Sequence, residues 1–321
     1  MTSTPHSSSS KGYMISILAA LIFSTSAIFI RFLTETYQIP TLVLAFWRDM
    51  FVVLVLGPTL LIINADLLKI PFKQLKYLAG FGLILALYNA IWTYAVVLTG
   101  AALATVLVYT STAFTVLLGR WFLKENLFLG KWIAVLLSFS GIVLVSGLLN
   151  ENNSLLNMSG ILLGILSGLM YAIYSMMGRS ASHRGLNPWA TLLYTFGFAS
   201  FFLLVFNLSL AHILPGTAQS FKDFFWLRQY IQGWMVLFLL AIGPTLFGYG
   251  LYNVSLCLLP SSVANLILTL EPPFTVLIAF LLLGEHLTTS QLIGSFLIVM
   301  GVFFLQMKLS HSPWKSAQPG L

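Results

Sequence analysis

Three ionisable side chains stand inside long apolar runs: Arg48 and Asp49 in Ala45-Phe46-Trp47-Arg48-Asp49-Met50-Phe51, and Glu271 in Leu270-Glu271-Pro272-Pro273-Phe274. Charges at such depth are costly and mark functional sites by default. Arg48 suits a carboxylate, and Glu271 suits an amine or a proton. The competing reading is that Arg48 pairs with Asp49 or Glu271 and only locks helices together. Pro272 lacks an N–H, so a carbonyl one turn earlier loses its helical partner. A helix broken there offers carbonyls to a substrate amine, or is simply a bend. Polar and aromatic residues accompany these charges. Asn89 and Trp92, three apart, share a helix face, and Tyr249, Tyr252 and Asn253 repeat that arrangement. Tyr109, Tyr171 and Thr269 complete the candidate substrate-binding set. Rings and amides suit a metabolite with an amine or an apolar tail. The alternative for the rings is an aromatic belt at the membrane surface.

Other chemistries find little support. No HExxH or GxGD motif occurs, and the five histidines, at positions 6, 183, 212, 286 and 311, lie mostly outside the apolar runs. No catalytic residue, metal ligand or cofactor is therefore expected. Cys257 is the single cysteine, so one chain holds no disulfide. No Walker-type loop is present, which excludes ATP hydrolysis on this chain, and no ATPase subunit is evident. The net charge of +7 sits in short loops rather than in a patch interleaved with aromatics, so nucleic acid is not an expected partner.

The elements that must position these residues are membrane helices. Of 321 residues, 59% are hydrophobic and 7% charged, against roughly 25% charged in a soluble domain. Lipid must be the solvent for most of the surface. Ten apolar runs are each near the roughly 20 residues that span a bilayer: 12–33, 40–63, 75–97, 101–122, 128–148, 160–177, 188–212, 232–256, 261–283 and 291–308. Their length and all-round apolarity argue against a β-barrel. The longest connection, 214–231, holds Lys222, Asp223 and Arg228. With a cytoplasmic N-terminus, the inner side carries Lys11, Lys69, Lys73, Lys76, Arg120, Lys124, Lys131, Arg179, Arg184, Lys308 and Lys315. The outer side carries Arg31, Lys222 and Arg228. That asymmetry predicts both termini inside.

The chain also resembles itself. A shift of 160 places Phe114-Thr115-Val116-Leu117 on Phe274-Thr275-Val276-Leu277, Glu125 on Glu285 and Gly141 on Gly301. A shift of 148 places Arg31 on Arg179 and Pro40 on Pro188. Five spans per repeat is an odd number, so the second copy enters the membrane upside down. The expected fold is an all-α membrane protein of ten helices in two inverted five-helix repeats, 12–148 and 160–308. Such repeats typify secondary transporters, whose site lies near the midplane between halves. Arg48 has no charged counterpart (Phe196), and Glu271 corresponds to Ser111. Gly160, Gly164 and Gly168 form a small-residue series suited to close packing. Glu125 and Glu285 precede spans and suit helix N-termini.

The stretch Leu270-Glu271-Pro272-Pro273-Phe274, then Leu283-Gly284-Glu285-His286-Leu287 and Gly294 to Gly301, resembles the end of an EamA-type domain. Phe114 to Glu125 and Gly141 form a weaker copy, with Thr112-Ala113 in place of the prolines and Lys124 in place of Gly284. Arg48 also fits the pattern. From about 12 to 308 the chain is similar to tandem EamA proteins of the drug/metabolite transporter superfamily. The resemblance implies ten helices, a cavity walled by the third, fourth, eighth and ninth spans, and export or sometimes uptake of small polar metabolites such as amino acids. It also implies a bacterial inner membrane. The expectation is therefore a multi-pass inner-membrane exporter of amino acids or related amines and carboxylates, working by alternating access as a monomer or weak dimer. Alternatives are an uptake carrier for a nucleoside-type or S-adenosylmethionine-like metabolite, or a multidrug efflux carrier. A channel, a receptor or an intramembrane enzyme explains the repeat less directly.

Overall fold

In lipid, main-chain polar groups must be satisfied within the protein, which leaves helices or closed barrels. Every regular element among the described residues is helical. The computed structural model describes residues 5–99, 104, 107–122, 129–145, 158–211, 213, 216–283 and 288–311. Glu125 and Glu285 lie outside the described residues. Among the described residues, six helical stretches are long and apolar enough to cross a membrane: Ser10–Tyr37, Thr41–Leu68, Phe72–Ala95, Met158–His183, Pro188–Ser209 and Ile231–Leu258. Shorter apolar helices cover Leu129–Leu144 and Leu292–Gly301.

In chain order the helices are α1 (Pro5–Phe23), α2 (Ser26–Tyr37), α3 (Thr41–Asn64), α4 (Phe72–Thr99), α5 (Ser111–Phe122), α6 (Leu129–Val145), α7 (Met158–His183) and α8 (Pro188–Ser209). There follow α9 (Ile231–Leu240), a π-helical segment (Ala241–Gly248), α10 (Tyr249–Leu258), α11 (Ser261–Leu268), α12 (Glu271–Leu283) and α13 (Thr289–His311).

Four runs that read as single spans in the sequence are interrupted, and each interruption has a local cause. Between α1 and α2, the hydroxyls of Ser24 and Thr25 donate to Leu21 O (2.6 Å) and Ile22 O (2.8 Å). Side-chain bonds of this kind compete with the helical ladder. Pro244 leaves Leu240 O without its usual donor, and Thr245 Oγ1 takes that carbonyl at 2.9 Å within the π-helical segment. Before α12, Thr269 Oγ1 donates to Leu266 O (2.6 Å), and Pro272 and Pro273 occupy the first turn. Before α5 no proline is present. There Thr110 Oγ1 bonds Leu107 O and Thr112 Oγ1 bonds Tyr109 O, both at 2.6 Å. The last two breaks coincide under the 160-residue shift. In each, the amide of the shared phenylalanine reaches back 3.2 Å: Phe114 N to Thr110 O, Phe274 N to Leu270 O.

Helix packing is intertwined. Among the described residues, α1 packs mainly on the π-helical segment, α10, α11 and α12, whereas α7 packs mainly on α4 and α5. The leading helix of each half thus lies against the other half. The glycine series explains how α7 comes so close. A Cβ at Gly164 would lie 2.6 Å from Leu107 Cβ, and one at Gly168 would stand 3.1 Å from Leu107 O and Val108 O. The most extensive contact joins α6 to α13. There a Cβ at Gly141 would sit 2.5 Å from Gly294 O, so only a bare α-carbon allows the approach.

On one side of the bundle, Phe221–Phe225 forms a short 3-10 helix with a Ser220/Asp223 capping box. Trp47 Nε1 donates to Phe224 O (2.5 Å) and Trp226 Nε1 to Tyr37 O (2.8 Å), which pins this connection over α2 and α3.

Candidate functional site

The interruptions converge on one cavity. Phe23, Ser26 and Ile30 reach it from the α1–α2 break, and Pro244, Thr245 and Tyr249 from the π-helical segment and the start of α10. Val108 and Tyr109 come from the break before α5, and Glu271 from the first residue of α12. The unbroken helices contribute Arg48 from α3, Tyr88, Asn89 and Trp92 from α4, and Tyr171 from α7.

Two charged groups of opposite sign face this space. Glu271 accepts a hydrogen bond from Tyr109 OH at 2.5 Å, its one protein donor among the described residues, and no cation pairs with it there. Arg48 is 7% exposed. Its Nε lies 3.4 Å from Asp49 Oδ1, and its Nη2 donates to Asn89 Oδ1 at 2.6 Å. Asn89 Nδ2 in turn donates to Asp49 Oδ2 at 2.8 Å. The two expected partners of Arg48 are thereby distinguished: it pairs with Asp49 and not with Glu271. Asp49 is fully buried behind Arg48 and does not reach the wall.

Aromatic rings, Phe23, Tyr88, Trp92, Tyr109, Tyr171 and Tyr249, make up much of the remaining lining and pack on further rings behind it. Tyr171 is central. It stacks on Tyr252 (5.9 Å, 12° between planes) and Tyr174 (6.0 Å, 6°), and meets Tyr88 at 5.1 Å. Tyr249 meets Phe23 and Phe196 edge-on at 4.9 and 5.4 Å. Such faces carry negative potential that attracts a cation.

Of the substrate-binding residues expected from sequence, Asn89, Trp92, Tyr109, Tyr171 and Tyr249 line the cavity. Tyr252, Asn253 and Thr269 sit behind it. Tyr252 OH donates to Ser175 Oγ (2.7 Å), Asn253 accepts from Tyr174 OH (3.3 Å), and the Thr269 hydroxyl is taken by its own helix. Ser175 also receives Asn265 Nδ2 (3.3 Å), whose Oδ1 accepts from Ser111 (3.2 Å). Ser111, the counterpart of Glu271, is therefore tied to the other half by a neutral bond rather than facing the cavity with a charge.

Sequence reasoning missed Phe23, Ser26, Ile30, Tyr88, Val108, Pro244 and Thr245. A signal existed for two regions: the Ser24-Thr25-Ser26 triplet and Pro244 each interrupt an apolar run. Tyr88 and Val108 carry no such mark.

Apolar helices closing around a charged, aromatic cavity define a multi-pass membrane protein with a site for a small molecule. The model of the EamA-like transporter family matches residues 10–147 and 158–307, and the chain belongs to that family. It is a transporter, not an enzyme, with a small molecule as substrate and the bilayer as surroundings. Both matched segments contribute to the cavity lining: Arg48 and Tyr109 belong to the first, Tyr171 and Glu271 to the second. Among relatives, the chain is 27% identical over 263 residues to the "Uncharacterized transporter YdfC" of Bacillus subtilis (strain 168), covering 80% of each. It is 29% identical over 100 residues to the "S-adenosylmethionine uptake transporter" of Rickettsia bellii (strain RML369-C), covering 31% of this chain and 34% of that one. A solved crystal structure superposes with a TM-score of 0.73 at 16% identity, covering 94% of this chain and 99% of the other, which shows the shared fold.

Proposed function

We propose that this chain is a secondary transporter exporting small polar metabolites, amino acids or related amines and carboxylates, across the inner membrane by alternating access. Its ten spans form two inverted five-helix repeats, 12–148 and 160–308, with both termini cytoplasmic, and it works as a monomer or weak dimer. The observation that carries the reading is Glu271. A carboxylate held by one tyrosine hydroxyl, facing a cavity of tyrosine rings between the two halves, is a receptor for an ammonium group. The helix interruptions at the cavity support it, because secondary transporters build midplane sites from discontinuous helices. The test is counterflow in proteoliposomes with the twenty amino acids and their decarboxylated amines. Absence of flux for the whole panel would remove the reading.

A second reading, uptake of a sulfonium metabolite, is favoured by the partial similarity to the Rickettsia bellii S-adenosylmethionine transporter. A sulfonium cation would suit the same carboxylate and rings. Including S-adenosylmethionine in the panel separates the two.

A further inference from the structure

Arg48 is held by one edge only. Its Nε and Nη2 are occupied by Asp49 and Asn89, and these two partners are tied to each other by Asn89 Nδ2. The guanidinium is therefore gripped from one side, as if in a clamp, and Nη1 has no protein partner among the described residues. One turn along α4 from Asn89, the indole Nε1 of Trp92 is buried and also unpartnered. Arg48 and Trp92 line the same cavity. A buried N–H without an acceptor is costly, so the Trp92 indole, beside a guanidinium edge that no protein group occupies, calls for an acceptor from outside the protein.

We propose that Arg48 Nη1 and Trp92 Nε1 form an oxyanion subsite for the substrate's carboxylate, and that Asp49 and Asn89 are positioning residues that aim the guanidinium at it. The inference rests on the transport reading above and deepens it. The substrate is a zwitterion, with its ammonium at Glu271 and its carboxylate at Arg48 and Trp92. Asp49 neutralises the arginine without competing for the edge the substrate uses. That explains why an adjacent acid and base coexist here: the pair is electrically balanced, yet one face of the cation stays available.

A purely structural role for the trio, cross-linking α3 and α4, predicts something different. Removing a member would lower stability and depress every substrate alike. Selectivity for the carboxylate is the readout that such a role would not move.

The experiment compares each of the twenty amino acids with its decarboxylated amine, by thermal shift and by competition in counterflow. Wild-type protein is expected to bind amino acids at least about tenfold more tightly than the matching amines, a factor set by a hydrogen bond to a charged group. Trp92→Phe keeps the ring and removes the donor. Asn89→Ala releases the guanidinium. In both, the preference for the carboxylate is expected to fall toward one. Asn89→Ala also removes a link between α3 and α4, so Trp92→Phe, which breaks no recorded hydrogen bond, keeps the test decisive if that variant does not fold. Wild type binding amino acids and amines equally overturns the subsite while leaving the transport reading intact. An unchanged preference in folded Trp92→Phe protein also overturns it. Binding of neither class overturns both readings.

Discussion

Glu271 meets a single hydroxyl where a carboxylate serving only stability would need several donors or a cation. Glu271→Gln keeps the shape and removes the charge. It is expected to cut counterflow of amine-bearing substrates at least about tenfold, the scale of one hydrogen bond to a charged group, while the melting temperature stays close to wild type. Arg48 answers to a different test because its neighbour is buried with it. Arg48→Ala leaves Asp49 without a counter-charge and should destabilise by about 3–5 kcal/mol, measured by thermal or denaturant unfolding. Arg48→Met combined with Asp49→Leu should recover most of that stability but not transport. The sequence made these residues legible because charge is so rare in apolar runs. Spacing could not tell which ring of a pair faces the cavity. Tyr249 and Tyr252 are three apart and look equivalent, yet Tyr252 is wholly buried against Ser175 and Tyr171. The hydroxyl of Thr269 was likewise a plausible ligand until its own helix consumed it.

At the scale of elements, the decisive features are the four interruptions. Pro244→Ala would return an N–H to Leu240 O and straighten the run from Ile231 to Leu258. It is expected to raise the melting temperature while lowering the maximal transport rate, with substrate affinity little changed. Gly141→Leu should do the opposite to the bundle. Its side chain would collide with the Gly294 carbonyl and Ile298, forcing α6 from α13, with a loss of several degrees in thermal melts. Proline made the interruption at Pro272 legible, and Pro244 offered the same signal unread. The Ser24-Thr25-Ser26 triplet was a weaker signal, and the break at Tyr109-Thr110 carried none, because Ser and Thr in membrane helices usually bond back to a carbonyl without ending the helix. The all-helical, membrane-crossing character was readable from hydropathy, and the tandem matched by the family model from self-similarity. Which helices touch was not, since lipid-facing and protein-facing surfaces are equally apolar.

Over the whole molecule, the lysines predict the orientation. A cysteine at Lys73, placed in a Cys257→Ser background, should react with a membrane-impermeant thiol reagent in inside-out vesicles and not in intact cells. The intertwined packing has a different consequence, for how the protein is made. Thr275 donates to Ser24 O across 251 residues of sequence, and α1 finds its chief neighbours only beyond Ala241. A ribosome feeding the membrane in order therefore delivers α1 long before anything it packs on exists. The helix is equipped to wait. The hydroxyls of Ser16, Ser24 and Thr25 each bond a carbonyl of the same run, so none depends on a distant partner to be tolerated by lipid. Assembly must then finish late and all at once, when the second half arrives to clasp a helix inserted at the outset.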